Sequence, residues 1–193
     1  KNCPITETEK KAVGRYLDWH TGILLETDGK MGIYRKESGK LIYKEKADSE
    51  DGYLGMYLFL MGKYLEKTES TDLPEYWKKG ISLALKKLQS LMQDGITQVS
   101  EENTTVYLMD NLEVGKGLCE LEHAGLKDVQ AIREMRNKLQ AQIEKLFWDD
   151  ANQRWRIIEN SDLYHQKEFY PDGVAQIYPL IYEFPVKEKK KQK

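Results

Sequence analysis

The segment DSEDGYLGMYLFLMGKYLEKT, residues 48–68, decides the fold of this 193-residue chain. Apolar side chains cover nearly every face of the helix that it predicts, and such a helix is usually buried on most sides. Two later segments have the same character: residues 105–124, which include VYLM and GKGL, and residues 171–184, which include VAQIYPLIYEF. We therefore expect three inner helices.

A helix with one apolar stripe is predicted before each of these. A capping box of Thr6 and Glu9 begins the first, which runs to about Gly22. The second begins at Asp72, and the third covers residues 127–147. An amphipathic helix needs only one buried face, so it belongs to an outer layer. The pattern predicts an all-α fold of three helical hairpins in one domain, residues 1–184, with the hairpins at residues 6–67, 72–124 and 127–184.

Polar, turn-rich segments lie in two of the loops that lead from an outer to an inner helix. The segments MGIYR and KLIYK flank a glycine turn at residues 36–39, which predicts a small β-hairpin insertion. A second hairpin is predicted in WDDANQRWRII, residues 148–158, with its turn at residues 151–153. The basic residues 185–193 predict a disordered tail.

The balance of charge and the scarcity of cysteine exclude several classes of protein. Lys plus Arg number 30 and Asp plus Glu number 32, so the net charge is −2. A general nucleic-acid binder would carry a basic stripe, and we expect no nucleic-acid partner. Cys3 and Cys119 have no metal-ligand spacing, and no phosphate-loop or zinc motif occurs, so no metal or other cofactor is expected. No apolar run reaches the roughly 18 residues of a membrane span.

Aspartates recur at the starts of the three inner helices. Asp48, Asp110 and Asp172 are separated by 62 residues each time. In an array of hairpins, equivalent helix starts lie on one rim, so we expect these side chains to converge. A structural alternative stays open for each, because Asp is a preferred N-cap whose carboxylate accepts unpaired backbone N–H groups.

A rim of carboxylates and aromatic rings suits carbohydrate. Glycosidic cleavage uses two carboxyl groups, and close carboxylates can have pKa values that differ enough for one to be acid and the other base. The candidate catalytic residues are Asp48, Asp51, Asp110 and Asp172. The candidate substrate contacts are Tyr53, Tyr107, Asn111, Tyr170, Gln176, Trp19, Trp148 and Trp155. For Tyr53 and Tyr107, packing in the protein core is an equal alternative. For Trp148 and Trp155, the alternative is that their rings hold the second hairpin insertion against the outer helix.

Four segments carry a family resemblance: DSEDGYLGMYLFLMGKYLEKT, TVYLMDNLEVGKGL, LFWDDANQRWRI and FYPDGVAQIYPLIY. They resemble bacterial proteins of the six-hairpin glycosidase type, which form an (α/α)6 toroid whose inner-helix starts line the substrate cleft. The resemblance implies that the four candidate aspartates are cleft acids, that carbohydrate is the partner, and that the protein is secreted or at the cell surface.

Three hairpins make only half of such a toroid. The chain is then a fragment of a longer protein, a homodimer that closes the ring, or a short relative. The toroid hosts hydrolases, lyases, epimerases and non-catalytic proteins. Two functions therefore stay open: a glycoside hydrolase, and a non-catalytic module that binds a glycan or a protein.

Overall fold

The architecture is mainly α-helical, which confirms the predicted fold class. The computed structural model describes residues 5–70, 72–126, 129–159 and 169–185. Their elements in chain order are α1 (Glu7–Glu26), β1 (Gly32–Glu37), β2 (Lys40–Lys46), α2 (Glu50–Thr68), α3 (Glu75–Leu91), β3 (Met92–Gln93), β4 (Ile96–Thr97), α4 (Leu108–His123), α5 (Val129–Phe147), β5 (Trp148–Asp149), β6 (Arg154–Trp155) and α6 (Val174–Ile181). An irregular turn, Phe169–Gly173, precedes α6.

The centre of the fold is the packing of α2 against α4, where the two backbones approach closely. A Cβ at Gly55 would lie 2.6 Å from the backbone nitrogen of Val114, and one at Gly62 would lie 2.6 Å from the carbonyl carbon of Glu120. Gly117 faces the carbonyl of Gly55. Only a hydrogen fits at these three glycines, which we call the glycine seam.

The outer helices cover this pair with their apolar faces. Gly80 of α3 allows close contact between layers, because a Cβ there would lie 2.7 Å from Thr21 of α1 and 2.8 Å from the hydroxyl of Tyr57 of α2. The hydroxyls of Thr21 and Tyr57 share a buried hydrogen bond of 2.9 Å. Trp77 of α3 donates its indole N–H to Asp18 of α1 at 2.8 Å. These contacts join α1, α2 and α3.

In the residues that the structure describes, three β-hairpins interrupt the loops that lead from α1, α3 and α5 to the next helix. The two predicted hairpins are β1–β2 and β5–β6. The third, β3–β4, was missed by the sequence prediction, although its tip is the pair Asp94–Gly95. Both tip residues have positive φ, 50° and 87°, which is the backbone of a type I′ turn.

The bounds of the outer helices differ from the sequence prediction. The first helix continues to Glu26 rather than ending at Gly22. The second outer helix, α3, begins at Glu75 rather than Asp72, because Pro74 occupies its N-cap with an extended backbone. No helix in the described part of the chain is long and apolar enough to cross a membrane.

The inner helices α4 and α6 are shorter than predicted. Residues 106 and 107 were expected to be helical, but Tyr107 forms an isolated β-bridge with Ile158, and the backbone N–H of Leu108 donates to Ile157 at 2.9 Å. Helix α6 is confined to Val174–Ile181. The predicted tail, apart from Pro185, lies outside the described residues, as do residues 127–128 and 160–168.

Candidate active site

Two adjacent helix starts bring carboxyl groups together. Asp51 lies in the first turn of α2, and Asp110 lies in the first turn of α4. A Cβ at Gly52 would lie 2.8 Å from Glu113 Oε2 and 3.4 Å from Asp110 Oδ1. These two oxygens are therefore at most 6.2 Å apart, which is the sum of the two distances. We call Asp51, Asp110 and Glu113 the carboxyl cluster.

Asp51 is the fully buried member of the cluster. Its Oδ2 accepts a hydrogen bond of 2.8 Å from Thr97, and its Oδ1 accepts one of 3.0 Å from Ser49. Burial raises the pKa of Asp51, while the hydrogen bonds from Thr97 and Ser49 act in the opposite direction because they stabilise the ionised form. Asp51 is therefore buried with each of its oxygens held by a hydrogen bond from a neighbouring side chain.

Asp110 and Glu113 are the members that hold protons near neutral pH. Burial, followed by the negative charge of Asp51, raises the pKa of Asp110 to about 7. Burial likewise raises the pKa of Glu113 to about 7. The hydroxyl of Tyr182 donates to Glu113 Oε1 at 3.1 Å, and this hydrogen bond lowers the pKa of Glu113. Both carboxyls feel the negative charge of Asp51, and each accepts a hydrogen bond, Asp110 from Ser49 and Glu113 from Tyr182. After burial, the charge of Asp51 is the larger effect on the pKa of Asp110, and the hydrogen bond from Tyr182 is the larger effect on the pKa of Glu113.

Tyrosines surround the carboxyl cluster. Tyr53 is 40% exposed, and its pKa is raised by burial and by the charges of Asp48 and Glu113. The pKa of Tyr178 is raised by burial and then by Glu113, among other charges. The rings of Tyr178 and Tyr182 have centroids 5.3 Å apart. The cluster therefore lies among the rings of Tyr53 on α2, Tyr178 on α6 and Tyr182 at the C-cap of α6.

The repeated aspartates occupy different positions. Asp48 is exposed just before α2, and its charge contributes to the raised pKa values of Asp110 and Glu113. Asp110 is a member of the carboxyl cluster. Asp172 lies in the turn before α6, but its side chain is outside the described part of the structure. The predicted convergence of all three therefore stays a prediction, while Asp48 and Asp110 share a site.

Asn111 has a supporting position. It is fully buried, and its amide oxygen accepts from the backbone N–H of Thr97 at 2.9 Å and from the Thr97 hydroxyl at 2.8 Å. Its amide nitrogen donates to the carbonyls of Thr97 and Tyr107, each at 2.9 Å. Every polar atom of the side chain is used within the protein, so Asn111 fixes β4 to α4 instead of facing a ligand. Tyr107 is the half-buried N-cap of α4.

Gln176, Trp155 and Trp148 join α6 to the last hairpin. The amide of Gln176 pairs with the backbone of Trp155, accepting from its N–H and donating to its carbonyl at 2.8 Å each. The rings of Trp148 and Trp155 are edge-to-face, with centroids 5.2 Å apart, and Trp155 is buried. These contacts match the alternative role of the two tryptophans, in which their rings hold the hairpin insertion in place.

Trp19 and Tyr170 remain partly or largely exposed. Trp19 of α1 packs its ring against Tyr16 and His20, with centroids 5.3 and 5.8 Å away. Tyr170 is 64% exposed, and its charge contributes to the raised pKa of Tyr178. Tyr170 therefore lies near the tyrosines around the carboxyl cluster, whereas the ring contacts of Trp19 are with α1 and its neighbours.

Sequence reasoning missed Glu113, Tyr178 and Tyr182 as site residues. One signal for Glu113 was available, since residues three apart in a helix lie on the same face and Asp110 was already a candidate. Tyr178 and Tyr182 lie four and eight residues beyond Val174, where α6 begins, and the ligand was expected at the helix start itself. Among the described residues, no group of three His, Cys, Asp or Glu side chains is arranged to hold a metal ion.

Comparison with known proteins gives a likeness in fold. No protein-family model and no curated protein matches the sequence. Among solved structures, a rhamnosidase from Klebsiella oxytoca with rhamnose bound aligns with a TM-score of 0.58 over 86% of this chain, at 10% sequence identity. The two chains share a fold over that region. The alignment covers 33% of the rhamnosidase chain, so this chain spans about one third of that protein's length.

Proposed function

We propose that the protein is a glycoside hydrolase that acts on a polysaccharide or oligosaccharide at the carboxyl cluster. The observation that carries this proposal is the pair Asp110 and Glu113, two neighbouring carboxyls with pKa values of about 7 in a tyrosine-rich site. Glycosidic cleavage needs one carboxyl that donates a proton to the leaving oxygen and a second that is ionised. The likeness in fold to a rhamnosidase supports the proposal, and rhamnose-containing glycans are the first substrates to test.

The proposed roles follow from which effect, after burial, is larger at each carboxyl. At Asp110 the charge of Asp51 is a larger effect than the hydrogen bond from Ser49, so we take Asp110 as the proton donor. At Glu113 the hydrogen bond from Tyr182 is a larger effect than the charge of Asp51 or that of Asp48, so we take Glu113 as the base or nucleophile. Asp48, exposed beside the cluster, contributes negative charge that attracts a developing oxocarbenium ion. Asp172 remains a proposed cleft residue from its place before α6.

The test is a screen for glycan products by mass spectrometry, followed by single substitutions. Asp110→Asn and Glu113→Gln should each abolish product formation on any glycan that the wild type cleaves. Asp94→Asn, at the exposed tip of the β3–β4 hairpin, is the matched control because asparagine tolerates the same positive φ. If both cluster variants keep full activity, the assignment is wrong.

A non-catalytic glycan-binding module is the second candidate, and one observation favours it. Tyr53 is exposed beside the carboxyls and Tyr170 is exposed near Tyr178, and exposed rings can bind a sugar without cleaving it. Saturable binding on a glycan array with no product would support this function. In that case, Tyr53→Ala should weaken binding, while Asp110→Asn should leave it within a factor of two.

We also propose that further helical hairpins or a second copy of the chain complete the ring. The last inner helix exposes Ile177, Leu180 and Ile181, and the first hairpin exposes Tyr16 and Trp19. Apolar surfaces of this kind usually mark an interface. Sedimentation equilibrium of the chain distinguishes these two ways of completing the ring. A dimer supports closure by a second copy, and a monomer supports closure by further hairpins.

A further inference from the structure

A large cavity lies away from the carboxyl cluster. It is a groove of about 930 Å³ between the outer helices α3 and α5, and it shares no lining residue with the cluster or its tyrosines. Its volume is within the range of roughly 300–1,000 Å³ that small-molecule sites occupy. The proposed glycan chemistry does not use this groove.

The groove follows α3. Its lining residues recur at intervals of three or four, namely Lys78, Ile81, Leu85 and Gln89 of α3, followed by Met92 of β3. This spacing places the four α3 residues along one face of the helix over about 17 Å at 1.5 Å per residue. A groove of that length suits an extended chain.

The walls of the groove are apolar and adaptable. Ile81 and Ile132, one from each helix, are buried, and Leu85, Met92 and Met135 are half-buried around the space. Methionine is unbranched and flexible, so Met92 and Met135 can adjust to ligands of different length. Such walls suit a hydrocarbon chain.

Lysines provide the complementary charge for one end of such a ligand. Lys86 of α3 and Lys138 of α5 both line the groove, and neither forms an ion pair with another described residue. The third lining lysine, Lys78, is paired with Glu75 at 2.6 Å. The lining acids are Asp72 and Glu134, and Glu134 already accepts a hydrogen bond of 2.8 Å from Gln130. An anionic headgroup therefore finds two available cations, one on each wall.

We propose that this groove binds a free long-chain carboxylate, with its hydrocarbon chain between α3 and α5 and its carboxylate between Lys86 and Lys138. This site is separate from the proposed glycan site, and either proposal can fail without the other. The probe is dansyl-labelled undecanoic acid, titrated into the full chain and then displaced by palmitic acid or by methyl palmitate. Saturable binding that palmitic acid reverses, and that the ester reverses at least tenfold less well, is the expected result.

Matched variants locate the site. Ala131→Trp places a ring in the groove from an exposed position of α5, and it should weaken binding at least tenfold. Ala141→Trp, exposed on the same helix outside the groove, is its control and should bind as the wild type does. The double variant Lys86→Gln/Lys138→Gln should weaken binding about tenfold, whereas Lys79→Gln, exposed on α3 outside the groove, should not.

Four results would overturn the proposal. They are the absence of saturable binding, equal displacement by acid and ester, unchanged affinity in Ala131→Trp, and equal losses in Ala131→Trp and Ala141→Trp. Helical circular dichroism of each variant verifies that a loss of binding is not a loss of fold. If anionic vesicles bind the protein and the soluble probe does not, the free carboxylate is the wrong ligand.

Discussion

The hydroxyl of Tyr182 donates a hydrogen bond to Glu113 Oε1 at 3.1 Å, across 69 residues of sequence. Glu113 is on α4, and Tyr182 is the C-cap of α6. This bond is a contact between the last helix and the carboxyl cluster, and it lowers the pKa of Glu113 against the effect of burial. The protonation of the cluster therefore depends on the position of α6.

Tyr182→Phe should raise the pKa of Glu113. The substitution removes the donor that stabilises the ionised form and keeps the ring. If Glu113 must be ionised for activity, the acidic limb of the pH–rate profile moves to higher pH. Tyr178→Phe is the control, since the rings of Tyr178 and Tyr182 are in contact but no hydrogen bond from Tyr178 reaches Glu113 among the described residues. Carboxyl carbon NMR checks the shift directly, and an unchanged Glu113 titration contradicts the prediction.

The contribution of Asp110 to the stability of the folded protein should fall as the pH rises from about 4 to 7. The pKa of Asp110 is raised from its ordinary value of 3.8 to about 7 in the folded state, so this carboxyl binds more protons in the folded state in that interval. Its contribution is then greatest below the unfolded pKa and is lost as the pH rises through the folded pKa. Asp110→Asn removes this contribution, and its stability relative to the wild type should improve by on the order of 2 kcal/mol between pH 4 and pH 8. Urea unfolding at several pH values measures the difference.

The matched control for that series is Asp94→Asn, which replaces an exposed carboxyl at the tip of the β3–β4 hairpin. Its urea midpoint should follow the wild type at every pH. If Asp110→Asn also follows the wild type, the raised pKa of Asp110 is wrong.

Gly117→Ala and Gly115→Ala should have opposite effects although they are two residues apart on α4. A methyl at Gly117 collides with the carbonyl of Gly55 in the glycine seam, so α2 and α4 must separate. We expect a loss of roughly 2 kcal/mol or more, as for other overpacked sites. A methyl at Gly115 makes an ordinary contact of 3.6 Å with Leu139, and alanine favours the helix by about 0.5–1 kcal/mol. Equal melting temperatures for the two variants would contradict the seam.

Asn111→Leu should loosen the β3–β4 hairpin. The substitution leaves the buried backbone groups of Thr97 without partners, which costs about 1–3 kcal/mol for each unsatisfied group. Hydrogen exchange at the Thr97 amide should accelerate more than exchange at the amides of the β1–β2 hairpin, which serves as the internal reference. Exchange that is unchanged at Thr97 would show that another contact holds the hairpin.

The helices were predictable because their patterns are local. The stripe of α3 and the all-round apolar surface of α2 are visible over a few turns, so the layers followed from the sequence. The missed hairpin β3–β4 has two residues in each strand, too few for an alternating pattern, and only Asp94–Gly95 marks it. The start of α4 was misjudged because the bridge of Tyr107 to Ile158 joins residues about 50 apart.

The site was predictable only in part, for the same reason. Asp110 was found because it lies at a helix start to which the 62-residue spacing from Asp48 points, and Asp51 was found because it lies at the same helix start as Asp48. The hydrogen bond from Tyr182 to Glu113 depends on how α6 packs against α4, and no local sequence pattern predicts that packing. The same holds for Asn111, whose type suggested a ligand contact and whose four internal hydrogen bonds become visible only in the folded chain.

The glycine seam has a consequence for how the carboxyls could vary during evolution. Sliding α4 along α2 by one turn, about 5.4 Å, would bring side chains against glycines that accept none, so only one axial alignment of the two helices is allowed. The spacing between Gly52 and the carboxyls of α4 is therefore set by backbone contacts deep in the protein. Residues at the rim can be exchanged for new ligand preferences while that spacing is inherited unchanged.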